Sequence, residues 1–248
     1  MRNLIEEIYT TRTVIGRNGK IHQLDSNISV EEGQLLSSLI RDNPNVTKTL
    51  EIGCAYGLSS LHICQALSER TGAHHTIIDP FQNSMWDGAG TANLERSGFD
   101  FFELLEEKSE FALPNLCKQG EDRFDLVFID GFHTFDHTLI DSFFATRLLR
   151  VGGFLVIDDT SWRSVNRCVR YLENYPCYEL YRTVSQPKPL TAGRRIAKSV
   201  RNLLPQELSK KVFHPNFVQK IWADQQHSMV ALKKVASDTR DWKWYVEF

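Results

Sequence analysis

The chain has 248 residues, of which 42% are hydrophobic and 24% are charged, and its formal net charge is -2 at pH 7. This composition is typical of a globular protein with a sizeable core. A nearly neutral chain has no overall attraction for polynucleotides, so we expect no nucleic-acid partner. No run of about 18 apolar residues predicts a transmembrane segment. The five cysteines form no Cys-x-x-Cys pair, which favours reduced thiols and a cytoplasmic protein.

The first 46 residues predict a lead-in that is irregular to about residue 28 and then helical. Ser29 and Glu32 fit a capping box at the start of a helix that ends before Pro44. Strands are then predicted at 49–52, 75–78, 101–105, 124–129, 151–157, 178–184 and 227–235. Helices are predicted between them, at 58–70, 90–98, 110–117, 136–149 and 164–174.

Repeated alternation of strand and helix needs crossover connections, which predicts a parallel sheet with helices on both faces. We therefore predict one α/β domain with a doubly wound, mostly parallel seven-stranded sheet. Its parts are the lead-in 1–46, a core 47–185, a basic helical insertion 186–226 before the last strand, and residues 227–248 with that strand and an aromatic tail.

Carboxylates follow two of the predicted strands directly. Asp130 comes after the strand 124–129, and the pair Asp158 and Asp159 comes after the strand 151–157. Parallel strands present functional groups at their carboxyl ends, and adjacent carboxylates repel unless a cation or hydrogen-bond donors compensate them. Aspartate also caps helices and starts turns, but acids at both ends favour a cation site. His133 adds a candidate base nearby, although it could instead cap the next helix or be solvated on a loop.

A glycine-bearing turn follows the first core strand. Gly53 and Gly57 are spaced Gly-x-x-x-Gly, which lets the backbone approach a ligand but is not the dinucleotide-binding fingerprint. A nicotinamide cofactor is therefore disfavoured. Taken alone, this spacing fits an ordinary strand-to-helix turn equally well.

The segment Glu51-x-Gly53-x-x-x-Gly57-x-Ser59 resembles the first motif of class I S-adenosylmethionine-dependent methyltransferases, in the branches of catechol and macrolide sugar O-methyltransferases. The resemblance covers about residues 29–162 and implies a Rossmann-like fold with S-adenosylmethionine as cofactor. It assigns Asp79 to the ribose hydroxyls, Ser109 to the adenine and Glu51 to the amino acid end. The full cofactor-binding set that it implies is Glu51, Gly53, Ala55, Tyr56, Gly57, Ser59, Asp79, Ser109 and Asp130.

The same resemblance implies a divalent cation held by Asp130, Asp158 and Asp159. Oxygen ligands without a matching Cys or His cluster favour Mg²⁺, or another hard divalent cation, over zinc. His133 stands where catechol enzymes have a lysine and macrolide sugar enzymes have a histidine. We therefore expect His133 and Asp130 to be catalytic, with His137 as the fallback base.

Three aromatic side chains, Trp86, His137 and Trp162, are candidates for the acceptor pocket, although Trp86 could equally be a core residue. The basic stretch 187–211 predicts an amphipathic helix that is either a solvated cover or a lid for substrate. The aromatic tail 241–248 would be unusual if fully solvated, which favours a homo-oligomer.

The leading hypothesis is a metal-dependent O-methyltransferase that acts on a small-molecule hydroxyl, in a sugar, a phenol or a natural-product intermediate. The alternatives are a non-catalytic S-adenosylmethionine-binding sensor or scaffold and a nucleic-acid methyltransferase. We find no Asn-Pro-Pro-Tyr-like element after the fourth strand, which disfavours the nucleic-acid enzyme.

Overall fold

The computed structural model describes residues 4–185 and 227–246. In chain order its elements are α1 (Leu4–Thr11), β1 (Thr13–Ile15), β2 (Ile21–Gln23), α2 (Val30–Arg41), β3 (Lys48–Ile52), α3 (Leu58–Leu67), β4 (His74–Ile78), α4 (Ala89–Arg96), β5 (Phe102–Leu105), α5 (Ser109–Lys118), β6 (Phe124–Ile129), α6 (Phe135–Leu148), β7 (Leu149–Ile157), α7 (Arg163–Leu172), β8 (Tyr178–Ser185) and β9 (His227–Lys234).

Seven strands form one sheet in the order β5-β4-β3-β6-β7-β9-β8. Strands β3 to β7 pair in parallel, and β9 is antiparallel to both β7 and β8. Buried apolar clusters cover both faces, with Leu36 and Leu61 on one and Leu113 and Leu148 on the other. The predicted α/β, doubly wound, mostly parallel seven-stranded fold is confirmed.

The lead-in is more ordered than the sequence indicated. Helix α1 was not predicted, because only Ile5 and Ile8 of its eight residues are buried, and this leaves a short apolar pattern. Strands β1 and β2 also lie in the part predicted to be irregular, and they form an antiparallel hairpin. The predicted helical insertion 186–226 lies outside the described residues.

The sheet order places a topological switch point between β3 and β6. The chain leaves β3 through α3 toward β4 on one side, and it leaves β6 through α6 toward β7 on the other. Because the connections diverge there, a crevice opens at the carboxyl ends of β3 and β6. This crevice contains the glycine turn and Asp130, which follow those two strands.

Helix α2 is fixed over this crevice by its cap and by its contact with α3. The predicted capping box is confirmed: Glu32 N donates to Ser29 Oγ at 3.3 Å, and Ser29 N donates to Glu32 Oε2 at 2.6 Å. A Cβ on Gly33 would lie 2.3 Å from Nε2 of His62 in α3. The absence of a side chain at Gly33 therefore lets the helices pack closely, and this contact positions Glu32.

Two further features of the described residues bear on the sequence predictions. No helix among them is long and apolar enough to cross a membrane, and all five cysteines are free thiols. In the tail, Trp244 packs against Tyr175 with ring centroids 5.5 Å apart, whereas Trp242 is 88% exposed. A homo-oligomer remains a prediction.

We expect His62→Gln to make folding less sensitive to acid. Burial and the Arg41 cation lower the pKa of His62 from 6.5 to about 4. Between these pH values the unfolded chain binds a proton that the folded chain does not. Lowering the pH through this range therefore lowers the wild-type free energy of unfolding, by at most about 1.4 kcal/mol per pH unit from this group.

Urea denaturation near neutral pH and at about pH 5 measures this effect. The wild type should lose more stability than His62→Gln between the two conditions. Equal losses in the two proteins would contradict the assignment of a buried neutral imidazole.

Candidate active site

The glycine turn after β3 has the left-handed backbone that its sequence suggests. Gly53 has φ +88° and Gly57 has φ +80°. A Cβ on Gly53 would lie 2.1 Å from the carbonyl oxygen of Asp130, and one on Gly57 would lie 2.7 Å from that of Gly90. A side chain at either position would therefore push the turn away from its neighbours.

Asp79, at the end of β4, holds this turn in place. Its Oδ2 accepts hydrogen bonds from Cys54 N at 3.0 Å, Ala55 N at 2.9 Å and Gln82 Nε2 at 3.1 Å. Its Oδ1 accepts one, from Phe81 N at 2.8 Å. Since a carboxylate oxygen has two lone pairs, Oδ1 can accept a further hydrogen bond, as a ribose hydroxyl would require.

A cavity of about 980 Å³ opens above the carboxyl ends of the strands. This is the size of a large ligand-binding cavity, for which roughly 300–1,000 Å³ is usual. Its wall brings together residues of the glycine turn, the ends of β4, β6 and β7, and the starts of α2 and α5. Residues that are more than a hundred positions apart in the chain therefore line the same cavity.

The predicted cofactor-binding residues divide into two groups. Five line the cavity: Gly53, Ala55, Asp79, Ser109 and Asp130. The other four, Glu51, Tyr56, Gly57 and Ser59, lie behind this wall. Contact of the second group with a ligand is therefore indirect, and their part in cofactor binding stays a prediction.

Glu51 lies in a buried polar network beneath the glycine turn. Its Oε2 is 3.0 Å from His75 Nε2 and accepts a hydrogen bond from Ser60 Oγ. His75 Nδ1 in turn lies 2.8 Å from Thr49 Oγ1. Within the described residues Oε1 of Glu51 has no hydrogen-bond partner, so the carboxylate keeps one acceptor for a water or a ligand group.

The acids after β6 and β7 meet His133 at the other end of the cavity. His133 Nε2 lies 3.1 Å from Asp159 Oδ2 and 3.5 Å from Asp130 Oδ1, yet it is not aligned for a hydrogen bond with either carboxylate. One ligand atom from each of these three residues falls within 4.8 Å of the others. Asp158 lines the same cavity, and its Oδ1 accepts a hydrogen bond from Asp159 N at 2.8 Å. We call these four residues the carboxylate–histidine cluster.

The carboxylates of this cluster are costly to ionise. Burial raises the pKa of Asp130 to about 6, with His133 opposing the rise and the charge of Asp159 adding to it. Burial and the charge of Asp130 raise the pKa of Asp158 well above its usual range, and burial also raises that of Asp159. The Asp130 carboxylate raises the pKa of His133, although burial opposes this effect.

The donor set of the cluster fits a hard divalent cation. Three carboxylates supply oxygen ligands of the type that Mg²⁺, Ca²⁺ and Mn²⁺ prefer, and His133 could add a nitrogen ligand. The raised pKa values of the carboxylates also favour a cation site, because a bound cation would relieve their mutual repulsion.

The three residues predicted to shape the acceptor pocket have different surroundings. Trp86 lines the cavity and packs edge-on against Tyr56, with ring centroids 5.0 Å apart. His137 also lines the cavity, and its Nδ1 lies 2.8 Å from Thr134 Oγ1. Trp162 lies outside the cavity wall, where its ring centroid is 5.2 Å from that of His133. It interacts with the Asp159 carboxylate, so it supports the cluster.

Sequence reasoning missed several residues of the cavity wall. Asp25, Glu32 and Ser228 all line the cavity. Glu32 was identified only as a capping residue, since nothing in the chain shows that the start of α2 lies at the cavity. Ser228 is the second residue of β9, whose antiparallel pairing brings the start of this strand to the same edge as the carboxyl ends of the others.

Comparison with known proteins identifies a family for the central part of the chain. Residues 50–160 match a family model described as a methyltransferase domain. Tricin synthase 1 of Oryza sativa subsp. japonica is 31% identical over 144 residues, which cover 54% of this chain and 53% of that protein. The chain thus matches about half the length of this curated relative.

Solved structures share the fold over a larger part of the chain. An O-methyltransferase from Bacillus cereus in complex with SAH, S-adenosylhomocysteine, superposes with a TM-score of 0.63 at 14% identity and covers 94% of this chain and 92% of its own. An SAH-bound methyltransferase from Podospora anserina gives 0.59 at 17% identity, covering 94% and 88%. Residues 50–160 therefore match a methyltransferase domain, and the chain shares its fold with O-methyltransferases of known structure.

Proposed function

We propose that the protein transfers a methyl group from S-adenosylmethionine to a hydroxyl oxygen of a small molecule, with the help of a divalent cation. One observation carries this proposal: a single cavity joins the turn held by Asp79 to the carboxylate–histidine cluster. The first feature suits a nucleoside with a charged tail, and the second suits a hydroxyl beside a cation. The free cysteines also support the predicted cytoplasmic location.

On the donor side, the chain binds and orients the cofactor. Asp79 Oδ1 has the free acceptor capacity that a ribose hydroxyl needs, and Gly53 allows the backbone of the turn to approach closely. Ser109 begins α5 and lines the cavity where the adenine is expected. When bound, S-adenosylmethionine supplies an electrophilic methyl group on a sulfonium, so the protein needs mainly to align it with the acceptor.

On the acceptor side, Asp130, Asp158 and Asp159 would hold the cation. A hard divalent cation supplies Lewis-acid chemistry that lowers the pKa of a hydroxyl and fixes its position. His133 would serve as the base that takes the hydroxyl proton, because its ring lines the cavity and its Nε2 lies beside the carboxylates, 3.1 Å from Asp159 Oδ2. Trp162 and Asp159 restrict the orientation of its ring.

Replacing a cluster carboxylate should weaken cation binding and leave cofactor binding intact. We expect Asp158→Asn and Asp159→Asn to raise the dissociation constant for Mn²⁺ at least about tenfold, since each removes a charged oxygen ligand. Paramagnetic titration measures this constant, and calorimetry with S-adenosylhomocysteine checks the cofactor site. Asp136→Asn is the matched control, because the Asp136 side chain is 74% exposed and is not part of the cavity wall.

The same variants test the need for the cation in turnover. Chelator-treated wild type should lose methyl transfer and regain it with Mg²⁺. If the chelated enzyme and Asp158→Asn both kept the full rate, the proposed role of the cation would be wrong.

Replacing the proposed base should affect turnover more than binding. We expect His133→Gln to lower kcat by about a hundredfold to ten-thousandfold, because the variant loses the proton acceptor. His137→Gln should stay within about tenfold of wild type, since that ring lies one helical turn further on. The measurement is single-turnover methyl transfer with both substrates saturating.

A larger loss in His137→Gln than in His133→Gln would transfer the role of base to His137. Cofactor binding by the wild type without methyl transfer to any hydroxyl compound would instead favour the non-catalytic sensor.

A further inference from the structure

The cavity contains acids that neither cofactor binding nor the strand-end cation site accounts for. Glu32 reaches the cavity from α2, on the side of the carboxylate–histidine cluster, and is only 5% exposed. It is close enough for its charge to act on both Asp158 and Asp159. Asp25, in the segment that leads to α2, lines the same cavity.

A second observation at this end of the cavity is independent of charge. Ser228 lines the cavity and is 9% exposed, and its Oγ has no hydrogen-bond partner among the described residues. It lies beside the loop after β7, because Thr160 N donates to Ser228 O at 3.0 Å. A buried hydroxyl without a partner, on a residue that lines a cavity, leaves a hydrogen bond that a polar group of the ligand could complete.

The charges that line the cavity are strongly unequal. Its described wall contains seven carboxylates, but Lys108 is its one lysine or arginine; the acids are Asp25, Glu32, Asp79, Glu110, Asp130, Asp158 and Asp159. With His133 neutral, as a base must be, a divalent cation and the sulfonium of the methyl donor would together supply three positive charges, against four negative charges on Asp130, Asp158, Asp159 and Glu32. The acceptor end therefore stays negative with its cation bound, and an anionic ligand would be repelled.

We propose that Glu32 and Ser228 form a specificity subsite for the acceptor, which admits hydroxyl compounds with neutral or cationic substituents and rejects those with a carboxylate, a phosphate or an acyl-CoA group. Glu32 supplies the charge that repels anions and attracts an amine, and Ser228 supplies a hydrogen bond to a second polar group of the acceptor. This inference rests on the proposed methyl transfer and narrows its substrate class.

Glu32→Gln tests the charge without disturbing the fold. Glutamine at this position can still accept the hydrogen bond from Ser29 N, so the capping box is retained. Glu31→Gln is the matched control, because Glu31 occupies the same helical turn and is exposed outside the cavity wall. Ser228→Ala removes the unpartnered hydroxyl without changing any charge.

Each protein is incubated with a bacterial or plant small-molecule extract, Mg²⁺ and S-adenosylmethionine that carries a deuterated methyl group. Mass spectrometry then sorts the labelled products by charge. The wild type should label neutral and cationic compounds. Glu32→Gln should raise the ratio of anionic to other labelled products by at least about fivefold, with Glu31→Gln unchanged. Ser228→Ala should lower total labelling by a few fold and leave that ratio as in the wild type.

Three outcomes would overturn the inference in distinguishable ways. Mainly anionic labelled products from the wild type would contradict the charge selection. An unchanged ratio in Glu32→Gln would show that Glu32 is not the selecting residue. The absence of any labelled product, with S-adenosylhomocysteine still bound in calorimetry, would contradict the proposed methyl transfer itself.

Discussion

The close approach of Gly53 to Asp130 joins the two halves of the cavity. A Cβ at position 53 would lie 2.1 Å from the Asp130 carbonyl oxygen, and Asp130 N donates to Ile52 O at 2.8 Å. The chain leaves β3 and β6 in opposite directions at the switch point, and this backbone contact sets the distance between the glycine turn and the first acid of the cluster. The sheet itself therefore fixes the distance between the cofactor-binding end and the acceptor end of the cavity. The proposed in-line methyl transfer requires such preorganisation.

The second constraint is electrostatic, because the fold places several carboxylates at the same edge of the sheet. The carboxylates after β6 and β7 are buried together, which raises the pKa of Asp130 to about 6 and that of Asp158 well above its usual range. Asp159 also has φ +51°, a left-handed conformation that is strained for a residue with a side chain. Such costs are retained where they serve function. On the proposed function, a bound cation would offset these costs, and the proposed Glu32 subsite would extend the same negative charge toward the acceptor.

The sequence predicted the sheet, the glycine turn and the convergence of Asp130 with Asp158 and Asp159, because parallel neighbours end at the same edge. It could not show that Glu32 both caps α2 and lines the cavity, since that depends on how α2 crosses the sheet. Ser228 was missed for a similar reason, because its strand runs antiparallel to the others. The motif also placed Glu51 near the cofactor, directly or through water, and this stays a prediction; its carboxylate contacts His75 and Ser60 beneath the turn, and Oε1 has no partner among the described residues. The parallel strands and their common edge were thus readable from the chain, whereas the strand order and the position of α2 beside the cavity were not.

The most direct test of the account is a crystal structure with S-adenosylhomocysteine and Mn²⁺ bound, with the anomalous signal of manganese recorded. We predict that the ribose hydroxyls contact Asp79 Oδ1 and that the manganese peak lies among Asp130, Asp158 and Asp159, with both ligands in the cavity of about 980 Å³. A manganese peak away from these carboxylates, or a nucleoside bound outside this cavity, would contradict the central claim that one cavity holds the methyl donor and the cation together.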